Sequence, residues 1–290
     1  MHSFMNLGLF SSVVSLYVKT LSFFEFQRLP IDLPCENLEQ FLKFDLSLPV
    51  KWEVLNLEEA SEKILGVLDW ISKKKAKVVY PGHMDYPAGF NLLEKPPLFL
   101  SYFGEASWKT HKCLSVIGSR EANYLSLSWM DQHLSELLSL GNLALVSGGA
   151  RGIDQRAHLL SIRHRKPTIA FLPSGLAQIY PNSFADWVDP IVQNGGAVMS
   201  ELAPNAPMRT FYFHERNRLI VAMSDVLFVV EARRRSGSSM TARLASENSK
   251  TVAVLPGFPS EVNWSGSIDL LCQGAFPIRD ALDLRTLLKI

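Results

Sequence analysis

The spacing of apolar residues changes character near Lys77. Before that point it is helical: the clearest stripe runs from Leu57 to Ile71 at intervals of three or four residues, and a weaker one runs from Leu38 to Phe44. Prolines at positions 30, 34 and 49 keep the predicted helices short. This pattern predicts a small helical domain over residues 1–78.

From residue 79 to 290, short apolar runs alternate with helical patterns, as in βαβ units with a parallel sheet. The predicted strands are Leu98–Tyr102, Leu114–Ile117, Leu143–Val146, Thr168–Phe171, Ala197–Met199, Val226–Val230 and Thr251–Leu255. The predicted helices are Tyr124–Leu140, Ile153–Arg163, Phe184–Gln193, Asn217–Ala222 and Met240–Asn248. The fold class is therefore α/β, with a Rossmann-like, doubly wound, mostly parallel sheet.

An apolar run from Leu7 to Val18 could be the core of a signal peptide or an ordinary helix. No Lys or Arg precedes it, and Lys19 follows without a small-residue cleavage site. It is also too short to span a bilayer. We therefore expect a buried helix and no membrane association.

Charge is distributed unevenly although the formal net charge is only +1. Acidic residues dominate between Asp32 and Asp69, whereas basic residues dominate in Arg151–Lys166 and again in Arg209–Arg243. This asymmetry places any anionic partner on the later part of the chain. The apolar fraction of 47% is that of a protein with a core.

The three cysteines, Cys35, Cys113 and Cys272, are far apart and form no CxxC pair. This spacing argues against a disulfide framework or a zinc site, and it indicates a reducing compartment such as the cytoplasm. We expect no metal and no cofactor.

Unusual residues follow the predicted strands, at the edge where open parallel sheets bind ligands. Gly118-Ser119-Arg120 combines a tight turn, a hydroxyl and a guanidinium. Ser147 to Asp154 (Ser-Gly-Gly-Ala-Arg-Gly-Ile-Asp) is a glycine-rich turn before a helix, which can present N–H groups to a phosphate. It is neither GxGxxG nor GxxxxGK[ST], so it implies no dinucleotide or nucleoside triphosphate. A simple chain reversal is the alternative.

Two later segments strengthen the prediction of an anion site. Phe213–Arg218 opens one helix, and Arg235–Ala242 holds a hydroxyl-rich turn at the start of another. Arg216 and Arg218 are two residues apart and cannot share a helix face. We therefore expect one to face the ligand and the other to pair with a carboxylate such as Glu231, and we take Arg218 to be the paired residue.

At this point the chain resembles the DNA-processing protein A family. The resemblance rests on an ordered series of short segments: Tyr86-Pro87, Pro96-Pro97-Leu98, Gly118-Ser119-Arg120, Ser147 to Asp154 with Ala157-His158, Tyr180-Pro181, Ser200-Glu201, Arg216-Asn217-Arg218, Glu231-Ala232, Ser236-Gly237-Ser238 with Thr241-Ala242, Pro256-Gly257 and Gly274-Ala275. Gly266-Ser267-Ile268 departs from the family's Gly-Thr/Ser-Asn, the first 80 residues match only loosely, and no winged-helix-like tail is expected after Ile290.

The resemblance implies an extended Rossmann fold that binds single-stranded DNA in a basic pocket, forms a homodimer and loads a RecA-type recombinase during natural transformation. It makes Arg120 the expected phosphate clamp and Lys166 a further contact. The complete set of predicted DNA- or phosphate-binding residues is Gly118, Ser119, Arg120, Ser147, Gly148, Gly149, Arg151, Lys166, Arg216, Asn217, Arg218, Arg235, Ser236, Gly237, Ser238 and Thr241. The implied role is in DNA uptake, competence and recombination.

Two other functions remain open. A phosphoribohydrolase of the lysine-decarboxylase-like group would need a catalytic glutamate near Arg243, and arginine cannot act as that acid or base. Asp154 and His158 could form an acid–base pair, but no nucleophile accompanies them, and tying the helix is the commoner role of such a spacing. No catalytic residue is therefore assigned. A plain interaction module would be favoured if the protein bound no anion.

The segment from Val252 to Leu271 carries more apolar residues than one strand and one short helix need. Such a surplus predicts an exposed patch for self-association. The residues expected to be exposed are Leu255, Phe258, Trp264, Ile268 and Leu271.

Overall fold

The computed structural model describes residues 7–16 and 57–290. Helix α1 (Leu7–Val14) packs on α2 (Leu57–Lys74). Phe10 and Val13 of α1 are fully buried, so the apolar start of the chain is a buried helix as predicted. The predicted stripe from Leu38 to Phe44 lies outside the described residues. Among the residues described, no helix is both long and apolar enough to cross a membrane.

A nine-stranded mixed sheet organises the rest of the described chain. The strands are β1 Lys77–Val79, β2 Leu100–Gly104, β3 Lys112–Ile117, β4 Leu143–Ser147, β5 Thr168–Phe171, β6 Ala197–Ser200, β7 Val226–Val229, β8 Thr251–Val254 and β9 Phe276–Pro277. Their spatial order is β1-β2-β6-β5-β4-β3-β7-β8-β9. The seven strands β6, β5, β4, β3, β7, β8 and β9 run parallel to one another. Strand β2 is antiparallel to both its neighbours, β1 and β6.

The helices that follow α2 cover both faces of this sheet. They are α3 Tyr124–Trp129, α4 Ser135–Leu140, α5 Ile153–Arg163, α6 Val188–Gln193, α7 Thr210–Met223, α8 Gly237–Glu247, α9 Ser265–Cys272 and α10 Ala281–Leu288. A π-helical turn, Met130–Leu134, joins α3 to α4, so the predicted helix Tyr124–Leu140 is one rod with a bulge. Short 3₁₀ helices lie at Ala88–Leu92, Ser107–Lys109, Asn182–Trp187 and Val262–Trp264.

The predicted α/β fold class is confirmed, and all seven predicted strands are present. The sequence pattern missed β1 and β9, because runs of three and two residues carry no periodicity. It also began α7 seven residues late, at Asn217 instead of Thr210. β1 crosses the predicted domain boundary at residue 78, so the division into two domains stays a prediction.

The order of the strands creates one crevice. From β3 the chain winds outward through β4, β5 and β6, and it then returns to place β7 on the other side of β3. The loops after β3 and β7 therefore diverge at the carboxyl edge, which is where doubly wound sheets bind ligands. The strands beneath are apolar on both faces, and β4 is buried throughout.

Candidate nucleic-acid interface

Three loops meet at this crevice, and we call them the strand-end loops: Gly118–Arg120, Ser147–Gly152 and Arg235–Ser238. The backbone N–H of Ile153 donates to the carbonyl oxygen of Ser119 at 3.2 Å. The hydroxyl of Ser238 donates to the carbonyl oxygen of Gly118 at 2.9 Å. The loop after β3 is thus tied to both of its neighbours, as the sequence prediction of a shared edge requires.

Two glycines make this close approach possible. A Cβ on Gly152 would lie 2.3 Å from the carbonyl oxygen of Ser119, and the residue has a φ of 81°. A Cβ on Gly118 would lie 2.5 Å from the Ile153 side chain. Side chains at either position would push the loops apart.

The glycine-rich loop is satisfied from inside the protein. The carboxylate of Asp154 accepts from the backbone N–H groups of Gly148 at 3.2 Å and Ala150 at 3.4 Å. The buried hydroxyl of Ser147 donates to the carbonyl oxygen of Val116 at 2.6 Å. Ser147, Gly148 and Gly149 are all buried, so their observed contacts are internal, and their contact with a phosphate stays a prediction.

Arg216 lies beneath the same loop. Its buried guanidinium donates to the carbonyl oxygens of Gly148 and Phe171, both at 2.5 Å. Burial lowers the pKa of this guanidinium to about 10, against the opposing effect of the nearby Asp154 carboxylate. Burial also raises the pKa of Asp154 to about 6, although Arg216 and the two N–H groups lower it.

His158 and Asp154 do not hydrogen-bond to each other. The Nδ1 atom of His158 lies 2.7 Å from the hydroxyl oxygen of Thr168, and complete burial lowers the pKa of the imidazole to about 3. His158 is thus neutral and buried, and it ties α5 to β5. This is the structural role that the four-residue spacing of Asp154 and His158 favoured.

The expected partner of Arg218 was wrong. Arg218 forms its ion pair with Glu201, and its Nε lies 3.6 Å from Glu215. Glu231 instead accepts from the backbone N–H of Asn123 at 2.9 Å and from the Ser126 hydroxyl at 2.6 Å. The error arose because the helix carrying Arg218 packs toward the end of β6, whereas Glu231 follows β7 and faces α3.

Asn217 joins two helices at the crevice. Its side-chain amide donates to the hydroxyl oxygen of Thr241 at 2.8 Å, and Thr241 in turn donates to the carbonyl oxygen of Gly237 at 2.8 Å. Ser236 caps α8 by accepting from the backbone N–H of Ser239. These predicted site residues hold the start of α8 against α7.

Arg120, on the loop after β3, presents an exposed cation at the crevice. Its guanidinium carbon lies 4.9 Å from the centroid of the Phe213 ring, and Tyr180 packs edge-on against that ring at 6.0 Å. This cation–π contact orients the guanidinium plane while leaving its N–H edge available to an anion. Sequence reasoning did not include Phe213 among the site residues, because an aromatic residue on a helix usually belongs to a core.

Three further exposed arginines lie on the strand-end loops or at the start of α7. Arg151 follows the glycine turn, Arg235 precedes the cap of α8, and Arg209 directly precedes the helix that carries Phe213. Arg209 was counted in the basic stretch but not predicted as a site residue, since its position one turn before Phe213 is visible only once α7 is known to begin at Thr210.

Lys166 is separated from these residues. It precedes β5, and its ammonium group donates to the carbonyl oxygen of Gly141, which precedes β4, at 2.9 Å. Both positions lie at the amino ends of the parallel strands, the edge opposite the crevice.

The expected exposure of the late apolar segment was partly wrong. Leu255 and Trp264 are buried, and Ile268 and Leu271 are half-buried, because these side chains pack toward the protein interior instead of solvent. Phe258 is exposed as predicted. Val262, four residues later, and Phe276, on the edge strand β9, are exposed as well. Among the described residues no group of three or more histidine, cysteine or acidic side chains could hold a metal ion.

Comparison with known proteins identifies the family. Residues 77–289 match the family model described as DNA recombination-mediator protein A. The chain belongs to this family. Among curated relatives, it is 28% identical to Protein Smf of Borreliella burgdorferi over 94% of this chain and 83% of that protein. It is 35% identical to Protein Smf of Escherichia coli over 58% of this chain, which is only 44% of that protein.

Solved structures of this family have the same fold. DNA processing protein A (DprA) from Streptococcus pneumoniae aligns with a TM-score of 0.74 and 25% identity, covering 96% of this chain and 95% of that one. DprA from Helicobacter pylori aligns with a TM-score of 0.66 and 31% identity, covering 74% of this chain and 96% of that one. The structure of that protein was described for its mode of binding single-stranded DNA. The description of the family names a mediator of DNA recombination and no catalytic activity.

Proposed function

We propose that this protein binds the sugar–phosphate backbone of single-stranded DNA at the strand-end loops, with Arg120 as the central clamp. The observation that carries the proposal is the exposed Arg120 guanidinium held over the Phe213 ring at the topological switch point. A guanidinium fixed in this way can present two parallel N–H groups to one phosphate. The single-stranded DNA binding of the Helicobacter pylori relative supports the same choice of ligand.

The composition of the crevice favours a single strand over a duplex. Its exposed arginines can follow a backbone, while the exposed face of Tyr180 and the half-buried Phe213 offer surfaces on which unpaired bases can stack. A duplex hides those base faces. Contacts with phosphates carry no base information, so we expect little sequence preference.

The predicted site residues then divide into two roles. In the proposal the backbone is contacted by exposed or half-buried predicted residues of the loops: Gly118, Ser119, Arg120, Arg151, Arg235, Ser236, Gly237 and Ser238. Arg209 and Phe213 at the start of α7, which the sequence did not predict, join them. Buried or half-buried residues keep those loops in place: Ser147, Gly148, Gly149, Arg216 and Thr241 are buried, and Asn217 and Arg218 are half-buried. Contact between DNA and Lys166 would require the strand to reach the opposite edge of the sheet.

The test is an anisotropy titration of a labelled oligo-dT of about 20 nucleotides, longer than the usual site of such proteins. We expect Arg120→Ala to weaken binding by about 1.5–3 kcal/mol, the value of a charge-assisted hydrogen bond. Arg163→Ala removes an exposed arginine from the other end of α5 and serves as the matched control. Equal affinities for the two variants would show that Arg120 is no clamp.

We further propose that the protein acts in the cytoplasm as a homodimer that helps to load a RecA-type recombinase onto the bound strand in natural transformation. Support comes from membership of a recombination-mediator family. Phe276 lies on β9, the last strand of the sheet, and Phe258 and Val262 follow its neighbour β8. All three are exposed and would be covered in a dimer. Light scattering at tens of micromolar should give twice the mass of one chain. The Phe258→Glu variant should give the mass of a single chain. A recombinase nucleation assay on a strand coated with single-strand binding protein tests the loading step.

A further inference from the structure

We propose a second phosphate subsite between α8 and α9, centred on Arg235 and Arg243, that extends the path of the bound strand beyond Arg120. The inference rests on the proposed DNA binding and adds Arg243 and the start of α9 to a site whose sequence motifs end with Arg235–Thr241. Its ligand is a phosphodiester group of the same strand.

The subsite is a shallow concavity, open to solvent. It is lined by Arg234, Arg235, Ser239, Arg243, Gly266, Asp269, Leu270 and Gln273. Three guanidinium groups therefore face one carboxylate. The lining carries a formal charge of +2, which suits a ligand bearing negative charge.

The single carboxylate is already paired. Arg234 donates to Asp269 through Nε at 2.6 Å and through a second nitrogen at 2.7 Å, which is a bidentate arrangement. Within the described chain, Arg235 and Arg243 make no side-chain hydrogen bond or close ion pair, and both are exposed. The concavity thus has two cations whose hydrogen-bonding capacity is unused.

The geometry of α8 explains why this subsite is separate from the crevice and yet continuous with it. Ser238 and Thr241 face one way, toward Gly118 and Asn217. Ser239 and Arg243 are four residues apart and share the opposite face, toward α9. The first turns of α8 therefore stand between the two sites.

Arg235 connects the two sides. It directly precedes the capping residue Ser236, and its φ of 54° turns the chain sharply into the helix. A strand that leaves Arg120 along the strand-end loops would meet Arg235 first and Arg243 about two helical turns later. Gln273, directly after α9, adds an amide donor at the far wall.

The test compares oligo-dT of about 6 and about 20 nucleotides across a salt series, using the wild type, Arg243→Ala, Arg243→Lys and the control Arg163→Ala. One lost phosphate contact should reduce the salt slope on the long strand by about 0.7. We expect this loss, with an affinity about three- to tenfold lower at low salt, only for Arg243→Ala. Arg243→Lys should keep the slope, and all four proteins should bind the short strand equally.

Other outcomes separate this inference from the proposed function. If the wild type binds both lengths and Arg243→Ala behaves like Arg163→Ala throughout, the second subsite is wrong while DNA binding stands. Competition by dTMP or inorganic phosphate against DNA binding gives a further outcome. If Arg243→Ala alters this competition but leaves the salt slope for the long strand unchanged, the concavity holds a free phosphate and the extended path is wrong. If no strand binds the wild type, the proposed function itself fails.

Discussion

The guanidinium of Arg216 donates a 2.5 Å hydrogen bond to the carbonyl oxygen of Gly148, so a buried charge supports the glycine-rich loop from below. Arg216→Ala would leave that oxygen and the nearby Asp154 carboxylate without their cation. We expect the free energy of unfolding to fall by about 3–5 kcal/mol, as for other broken buried pairs. Urea denaturation measures this loss.

The matched control for Arg216 is Arg151→Ala on the same loop. Arg151 is exposed, so its removal should change the stability by no more than about 0.5 kcal/mol. Similar losses for the two variants would mean that Arg216 does not support the loop.

Gly152 couples the stability of the loops to DNA binding. Its φ is positive, and a Cβ would meet the carbonyl oxygen of Ser119 at 2.3 Å. Gly195 also has a positive φ, but a Cβ there would meet nothing within 4 Å. Gly195→Ala should therefore cost about 1–2 kcal/mol from backbone strain alone.

Gly152→Ala should cost about 1–3 kcal/mol more than Gly195→Ala, since the clash adds to the strain. It should also weaken DNA binding, whereas Gly195→Ala should not. Thermal denaturation and the anisotropy titration give the two quantities. Normal DNA affinity in a stably folded Gly152→Ala protein would disprove the coupling.

Asp154 and His158 should change stability with pH in opposite directions. The folded pKa of His158 is about 3, below its usual 6.5, so the folded state binds fewer protons and stability falls as the pH drops below 6.5. The folded pKa of Asp154 is about 6, above its usual 3.8, so the folded state binds more protons and stability rises as the pH drops from 6 toward 3.8. Each effect approaches about 1.4 kcal/mol per pH unit.

The effects of the two residues on stability are distinguished by measuring urea denaturation midpoints at pH 7 and pH 5 for the wild type, His158→Gln and Asp154→Asn. His158→Gln should lose less stability than the wild type over this interval, and Asp154→Asn should lose more. Effects of all other groups cancel in the comparison. The same loss in all three proteins would contradict the burial of these groups as the cause.

Arg120 and Phe213 should act as a unit. Phe213→Leu removes the aromatic face beneath the guanidinium while keeping an apolar side chain. A double-mutant cycle with Arg120→Ala, measured as DNA affinity, should give a coupling energy of about 0.5–1 kcal/mol. Strictly additive losses would show that the ring contributes only through its own contact with DNA.

The sequence predicted those features that depend on local pattern. Strands such as Leu143–Val146 are apolar throughout, and Gly118 and Gly152 stand where only glycine fits, so the sheet and the crevice at its edge could be inferred. β9 could not, because it exists only through pairing with β8.

Exposure was the part of the site that the sequence could not give. Arg216 and Arg120 are both arginines of segments predicted to bind an anion, yet one is buried against carbonyl oxygens and the other faces solvent. That difference depends on how α7 packs beneath β5, which involves residues 45 positions apart. The partner of Arg218 was misassigned for the same reason.

The central claim is tested most directly by titrating the wild-type protein with one labelled single strand and its duplex at several salt concentrations. With about three to five phosphates neutralised, log K for the single strand should fall with log salt at a slope of roughly −2 to −3.5. The single strand should bind more tightly than the duplex at every salt concentration. A flat salt response, or tighter binding of the duplex, would contradict the account.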